Sequence, residues 1–65
     1  MTIHVNGQPV QADAGETIAL LLAKRRLSPD KVAIELNRRL VKSDRYEQAL
    51  KEGDEIEIVT FVGGG

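Results

Sequence analysis

The sequence has no cysteine and no tryptophan, a single histidine, and one phenylalanine and one tyrosine. Without cysteine, disulfide staples, thiolate zinc sites and cysteine nucleophiles are excluded. With His4 as the one histidine, there is no metal cluster and no serine–histidine–acid triad to build. An excess of one charge is also missing. Nine basic residues meet ten acidic ones, for a net charge of -1, which disfavours DNA or an anionic membrane as a bulk electrostatic partner. The longest apolar run, Ile18 to Ala23, is far too short to span a bilayer. Met1 is followed at once by an alternating segment rather than by a basic region and an apolar stretch, so the expected compartment is the cytoplasm. A chain of 65 residues is one domain at most and buries only about 60% of its unfolded surface. A deep substrate pocket is therefore not expected.

What is present reads as alternating strands around one helix. Met1, Ile3 and Val5 share a face, and Asn6-Gly7 is a hairpin turn signal, since both central positions of a type I′ turn need positive φ. Gln8 to Ala12 is the expected return strand, and Pro9 places it at an edge or at a strand start. After a connector, Thr17 is an N-cap, and Ile18, Leu21 and Leu22 have helical spacing. Lys24, Arg25 and Arg26 are expected in the last helical turn, where they suit the dipole, and Ser28-Pro29-Asp30 ends the helix. Val32, Ile34 and Leu36 form a third strand, Asn37-Arg38 a turn, and Leu40-Val41 a short fourth strand. Ser43 to Lys51 is expected to hold one helical turn, with Asp44 and Glu47 at capping-box spacing and Tyr46, Ala49 and Leu50 facing inward. Glu55 to Val62 is the last strand, rich in β-branched residues. A single helix over a mixed sheet of four to five strands, with first and last strands adjacent at the centre, is the α+β class and the β-grasp, or ubiquitin-like, architecture. The expected organisation is one domain over 1–62 and a flexible tail over 63–65.

The last strand carries a surplus. If Ile56 and Ile58 face the helix, Val59 and Phe61 lie on the opposite face with Glu55 and Glu57. Two large apolar groups in water beside the tail mark a protein contact; the alternative is a bulge that returns one of them to the core. The acidic run Glu52, Asp54, Glu55 and Glu57 is either a solvated face or a surface for a basic partner. Three of the six glycines are Gly63, Gly64 and Gly65. They cannot form core. Either they fray or they make a threadable arm whose useful group is the Gly65 carboxylate. A narrow channel that excludes water from an acyl-adenylate admits an extended chain most easily when no Cβ is present.

Three stretches now carry a resemblance: Thr2-Ile3-His4-Val5-Asn6-Gly7, Val32-Ala33-Ile34-Glu35-Leu36-Asn37, and Gly53-Asp54-Glu55-Ile56-Glu57-Ile58-Val59-Thr60-Phe61-Val62-Gly63-Gly64-Gly65. In this order they resemble the thiamine-biosynthesis sulfur-carrier family (ThiS). The resemblance implies a carrier rather than an enzyme, with no bound cofactor. An E1-like adenylyltransferase (ThiF-like) would activate the Gly65 carboxylate with ATP. A cysteine desulfurase relay would supply sulfur to give a thiocarboxylate, and a thiazole synthase (ThiG-like) would receive it. Gly63 and Gly64 would be the approach, and Val59 and Phe61 the partner-docking residues. Related carriers serve molybdopterin, tRNA thiolation or cysteine synthesis, and ubiquitin-like tags are joined to lysines, so these functions remain alternatives. One departure stands out: family members usually have Asn-Gly where this chain has Asn37-Arg38. Of the other polar residues, His4 is expected to be a solvent-facing strand residue, Tyr46 packed with its hydroxyl at the surface, and the four lysines solvated.

Overall fold

The computed structural model describes residues 1–61. Strands β1 (Thr2–Val5) and β2 (Gln8–Gln11) form the first hairpin, followed by helix α1 (Ile18–Lys24). Strands β3 (Val32–Leu36) and β4 (Arg39–Val41) form the second, and β5 (Glu55–Thr60) closes the sheet. Single 3-10 turns at Pro29–Lys31 and Ser43–Arg45 join these elements. The sheet order is β2-β1-β5-β3-β4. β1 and β5 are parallel, and the other pairs are antiparallel. This is the expected β-grasp arrangement, with β5 at the centre and Pro9 on an edge strand, where its missing N–H costs no ladder bond.

Alternation selects which side chains reach α1. Ile3, Val5, Ile34, Ile56 and Ile58 meet Ile18, Leu21 and Leu22, and all of these are buried. Full burial of such a side chain contributes about 1.5–3 kcal/mol relative to exposure. Thr17 caps the helix through its hydroxyl, which accepts from the Leu20 N–H at 3.1 Å. Tyr46 is also buried, and desolvation raises the pKa of its phenol.

The helix is shorter than its composition suggests. It ends at Lys24, so Lys24 alone, not Arg25 or Arg26, lies in the last turn. The Leu27 N–H donates to the Leu22 carbonyl at 2.9 Å and the Arg26 N–H to the Ala23 carbonyl at 3.1 Å. Those two bonds define a Schellman stop with Arg26 in the left-handed region at φ 58°. The 43–51 segment also departs from expectation. Lys42, not Asp44, precedes its single 3-10 turn, and no side chain caps it. The N3 position of this turn is Arg45, and Glu47 lies beyond its C-cap, so no capping box closes. Tyr46 and Leu50 face inward as expected, but Ala49 is exposed, although its backbone bridges to Thr17. Lys24 is not simply solvated. Its ammonium lies 3.0 Å from the carboxylate of Glu16, which is 4% exposed.

Both hairpin turns have two consecutive positive φ angles: Asn6 50° and Gly7 82°, then Asn37 52° and Arg38 69°. The second turn thus keeps the geometry that favours Asn-Gly although arginine fills it. An L residue with a Cβ costs roughly 1–2 kcal/mol there. Replacing Arg38 by glycine is expected to stabilise the fold by about 1 kcal/mol after glycine's extra unfolded-state entropy is subtracted. Urea denaturation of Arg38→Gly checks this, and an unchanged midpoint would mean the turn is not strained.

Candidate functional site: the open face of the sheet

Helix α1 covers one side of the sheet. The other carries the expected surplus: Val59 is 58% exposed and Phe61 61%, so neither is returned to the core by a bulge. Leu40, at 69% exposed, joins them, and Ala33 lies directly opposite Val59 across the β3–β5 ladder. Sequence reading missed Leu40. The signal was its pairing with Glu35 across the β3–β4 hairpin, which puts it on the same side as Glu35, the side facing away from the helix. A hollow of about 440 Å³ lies here, lined by Ala33, Glu35, Leu40, Glu57 and Val59 among others.

The electrostatics of this face are lopsided. Glu35 sits directly opposite Glu57, an arrangement that like charges disfavour. Glu55 continues the row and pairs with His4 across β1–β5. His4 is half-buried rather than fully solvent-facing, and its Nδ1 is buried without a hydrogen-bond partner. No group of three or more histidine or acidic residues is placed to hold a metal among the described residues. The acidic run divides in two. Glu52 and Asp54 have structural tasks: Glu52 Oε1 accepts from the Thr2 N–H at 3.0 Å, and Asp54 accepts from the Lys51 N–H at 2.8 Å and from Asn37 Nδ2 at 3.0 Å. Glu55 and Glu57 are exposed on the open face and are left for solvent or a partner.

Two asparagines hold β5 in place from either side. β1 ends at Val5, and the Asn6 side chain carries the ladder further: its Oδ1 accepts from the Ile58 N–H at 2.7 Å and its Nδ2 donates to the Ile58 carbonyl at 3.3 Å. Asn37 Oδ1 accepts from the Glu55 N–H at 2.9 Å. The Phe61 N–H donates to the Lys31 carbonyl at 2.9 Å, so the strand remains tied to the sheet up to the last described residue. Val62, Gly63, Gly64 and Gly65, on which the tail reading falls, lie outside the described residues.

A model of the ThiS family matches residues 3–65. The chain belongs to the ThiS family. It is similar to the sulfur carrier protein ThiS of Bacillus subtilis, with 41% identity over 97% of this chain and 98% of that protein. The crystal structure of the thiamine biosynthesis protein ThiS from Geobacter metallireducens superposes with a TM-score of 0.77 at 30% identity, covering all of both chains. A thiazole synthase of Magnetococcus marinus is 46% identical over the whole of this chain but over only 20% of its own length. The chain spans about a fifth of the length of the thiazole synthases it matches. No helix among the described residues is long and apolar enough to cross a membrane.

In this ThiS-family chain, Val59 and Phe61 make no contribution to the core, so replacing them tests the face without testing the fold. Val59→Thr and Phe61→Ala are each expected to change unfolding free energy by no more than about 0.5 kcal/mol. Loss of the cooperative transition in either variant would show that the patch is structural.

Proposed function

We propose that the chain is a sulfur carrier of thiamine biosynthesis that works through the carboxylate of Gly65. The observation that carries this reading is the family match running through Gly65, joined to an exposed apolar patch at the end of the central strand that leads to the glycines. In the first step a Gly65 carboxylate oxygen attacks the α-phosphorus of ATP on an E1-like adenylyltransferase, and pyrophosphate leaves. The terminal sulfur of a persulfide fed by a cysteine desulfurase relay then attacks the acyl-adenylate carbonyl, and AMP leaves to give an acyl disulfide. A second thiol, the two-electron reductant, attacks the relay's sulfur of that disulfide; the S–S bond breaks, a new disulfide forms on the relay side, and Gly65 leaves carrying a thiocarboxylate. The chain supplies no acid, base or cofactor to these steps; ATP belongs to the activating enzyme. Its own tasks are to dock and to extend the arm.

The docking surface would be Val59 and Phe61, with Leu40 beside them. Apolar groups at the centre of a contact carry most of its energy, while Glu35, Glu55 and Glu57 set the sign of the partner's rim. A basic partner surface would also relieve the Glu35–Glu57 repulsion. Thiazole synthase is the favoured sulfur acceptor, because thiazole synthases contain stretches up to 46% identical to this chain. Incubation with ATP, a sulfur source and an adenylyltransferase active on a ThiS-family carrier is expected to add the mass difference of one oxygen-to-sulfur exchange, read by intact mass spectrometry and placed on Gly65 by fragmentation. An unchanged mass under conditions that load a known ThiS, or sulfur on any other residue, would overturn the proposal.

A further inference from the structure

A second surface adjoins the open face along β4 and shares Leu40 with it. A cleft of about 340 Å³ opens between β4 and the 45–51 segment. Its walls bear Arg39, Arg45 and Lys51, and its floor includes the buried Ile18 and Leu50. The three cations are exposed, and none forms an ion pair among the described residues. The acid that also lines the cleft, Asp54, already accepts hydrogen bonds at both carboxylate oxygens, from Asn37 and from the Lys51 backbone. The cleft therefore presents positive charge around an apolar base on a chain whose net charge is negative.

We propose that this cleft is a second docking site, and that its occupant is an acidic segment of a partner protein, with carboxylates set against Arg39, Arg45 and Lys51 and an apolar side chain on the floor. Its charge is opposite to that of the open face, where Glu35, Glu55 and Glu57 suit a basic partner. A carrier that is loaded by one enzyme and unloaded by another must meet both. Surfaces of opposite sign let two partners be told apart by charge as well as by shape. This last point rests on the carrier reading, but the charge and floor of the cleft do not. The apolar floor favours a peptide over a polyanion such as nucleic acid, which gains little from contact with isoleucine and leucine.

The test uses the full-length, ¹⁵N-labelled chain and a capped five-residue peptide alternating glutamate and leucine. Amide shift changes are expected at Arg39, Gln48, Ala49 and Lys51 and not at Val59 or Phe61. Because exposed charges are screened as the Debye length falls to about 3 Å, the shifts should fade in 1 M salt. Arg39→Gln combined with Arg45→Gln should weaken binding at least about fivefold, the loss expected for two exposed ion pairs, with the melting temperature unchanged. Should that pair destabilise the chain, Lys51→Gln alone replaces it, with about a twofold loss expected. Three results would overturn the proposal: shifts centred on Val59 and Phe61, equal binding of a lysine–leucine peptide, or tighter binding of a single-stranded oligonucleotide than of the acidic peptide. Concentration-dependent shifts without any peptide would also overturn it, by making a second copy of the chain the occupant. No sulfur chemistry enters the assay, so failure of sulfur loading and failure of cleft binding are separate outcomes.

Discussion

Removing Gly64 and Gly65 is expected to abolish sulfur loading completely while leaving the fold intact. The reasons lie on two levels. Among the described residues, every residue of the buried apolar core falls between Ile3 and Ile58, and the last described tie, from the Phe61 N–H to Lys31, precedes the glycines. Glycines carry no side chain to bury, so truncation is expected to leave the core as it is and the melting temperature should not move. The chemistry is another matter. Removing two residues draws the reacting carbonyl back by roughly 7 Å of extended chain, whereas displacements of about 1 Å from reactive geometry already cost on the order of a hundredfold in rate. A finer variant separates reach from shape: Gly64→Val keeps the length but adds a branched Cβ, and its loading rate should fall about a hundredfold if the channel admits only a bare backbone. Intact mass spectrometry over a time course reads both. A truncated chain that still gains sulfur, or a Gly64→Val chain that loads at the parent rate, would sink the threading idea.

Much of this molecule was legible because short strands and one helix leave little freedom in where apolar residues go. The alternation of Val32, Ile34 and Leu36 placed β3 at its observed bounds. The Ile56–Ile58 pair pointed Val59 and Phe61 to the open face with a bulge as the alternative, and their exposure decides for the open face. Asn6-Gly7 announced its turn. The failures share a physical cause, which is that propensity speaks for a residue alone and closure depends on neighbours. Arg25 and Arg26 are good helix formers, yet Leu27 packs against the core and its N–H closes back on Leu22, so the helix stops early. Asn37-Arg38 was legible as a turn, but without a glycine its geometry was not; the β3–β4 register imposes two positive φ angles on it. Leu40 is one apolar residue in a three-residue strand and has no periodicity of its own. Its exposure follows only once the register against Glu35 is known. The basic cleft was invisible in the sequence for the same reason: Arg39, Arg45 and Lys51 are spread over thirteen positions and meet only when β4 lies beside the loop that follows it.

The asparagine clamps show how the fold serves the face, and they predict a large loss of stability from one small substitution. Asn6→Ala is expected to cost about 2–4 kcal/mol. Part of this is the backbone, since an alanine at φ 50° adds roughly 1 kcal/mol of left-handed strain. The larger part is the orphaned ladder. Ile58 is only 9% exposed, and its N–H and carbonyl are satisfied on that side by Asn6 Oδ1 and Nδ2. A buried polar group stripped of its partner costs about 1–3 kcal/mol. Two companions separate these contributions. Asn6→Gly keeps the turn and loses the clamp, and its extra unfolded-state entropy offsets part of the relieved strain, so it should be milder than alanine by only about 0.5 kcal/mol. Asn6→Asp keeps the acceptor for the Ile58 N–H but turns its second oxygen toward the Ile58 carbonyl in place of a donor, so it should recover only part of the alanine loss. Asn37→Ala should be less damaging than Asn6→Ala, because its bonds to Glu55 and Asp54 are exposed and water can replace them. Urea denaturation at neutral pH gives the order directly, through midpoints at constant m. If alanine and aspartate at position 6 proved equal, the hydrogen bond to Ile58 would carry no weight. In a domain of this size, total stability rarely exceeds about 3–5 kcal/mol. The alanine variant should therefore be partly unfolded at 25 °C and should present Val59 and Phe61 on a strand whose end is no longer clamped at Ile58, although its backbone bonds to β1 remain.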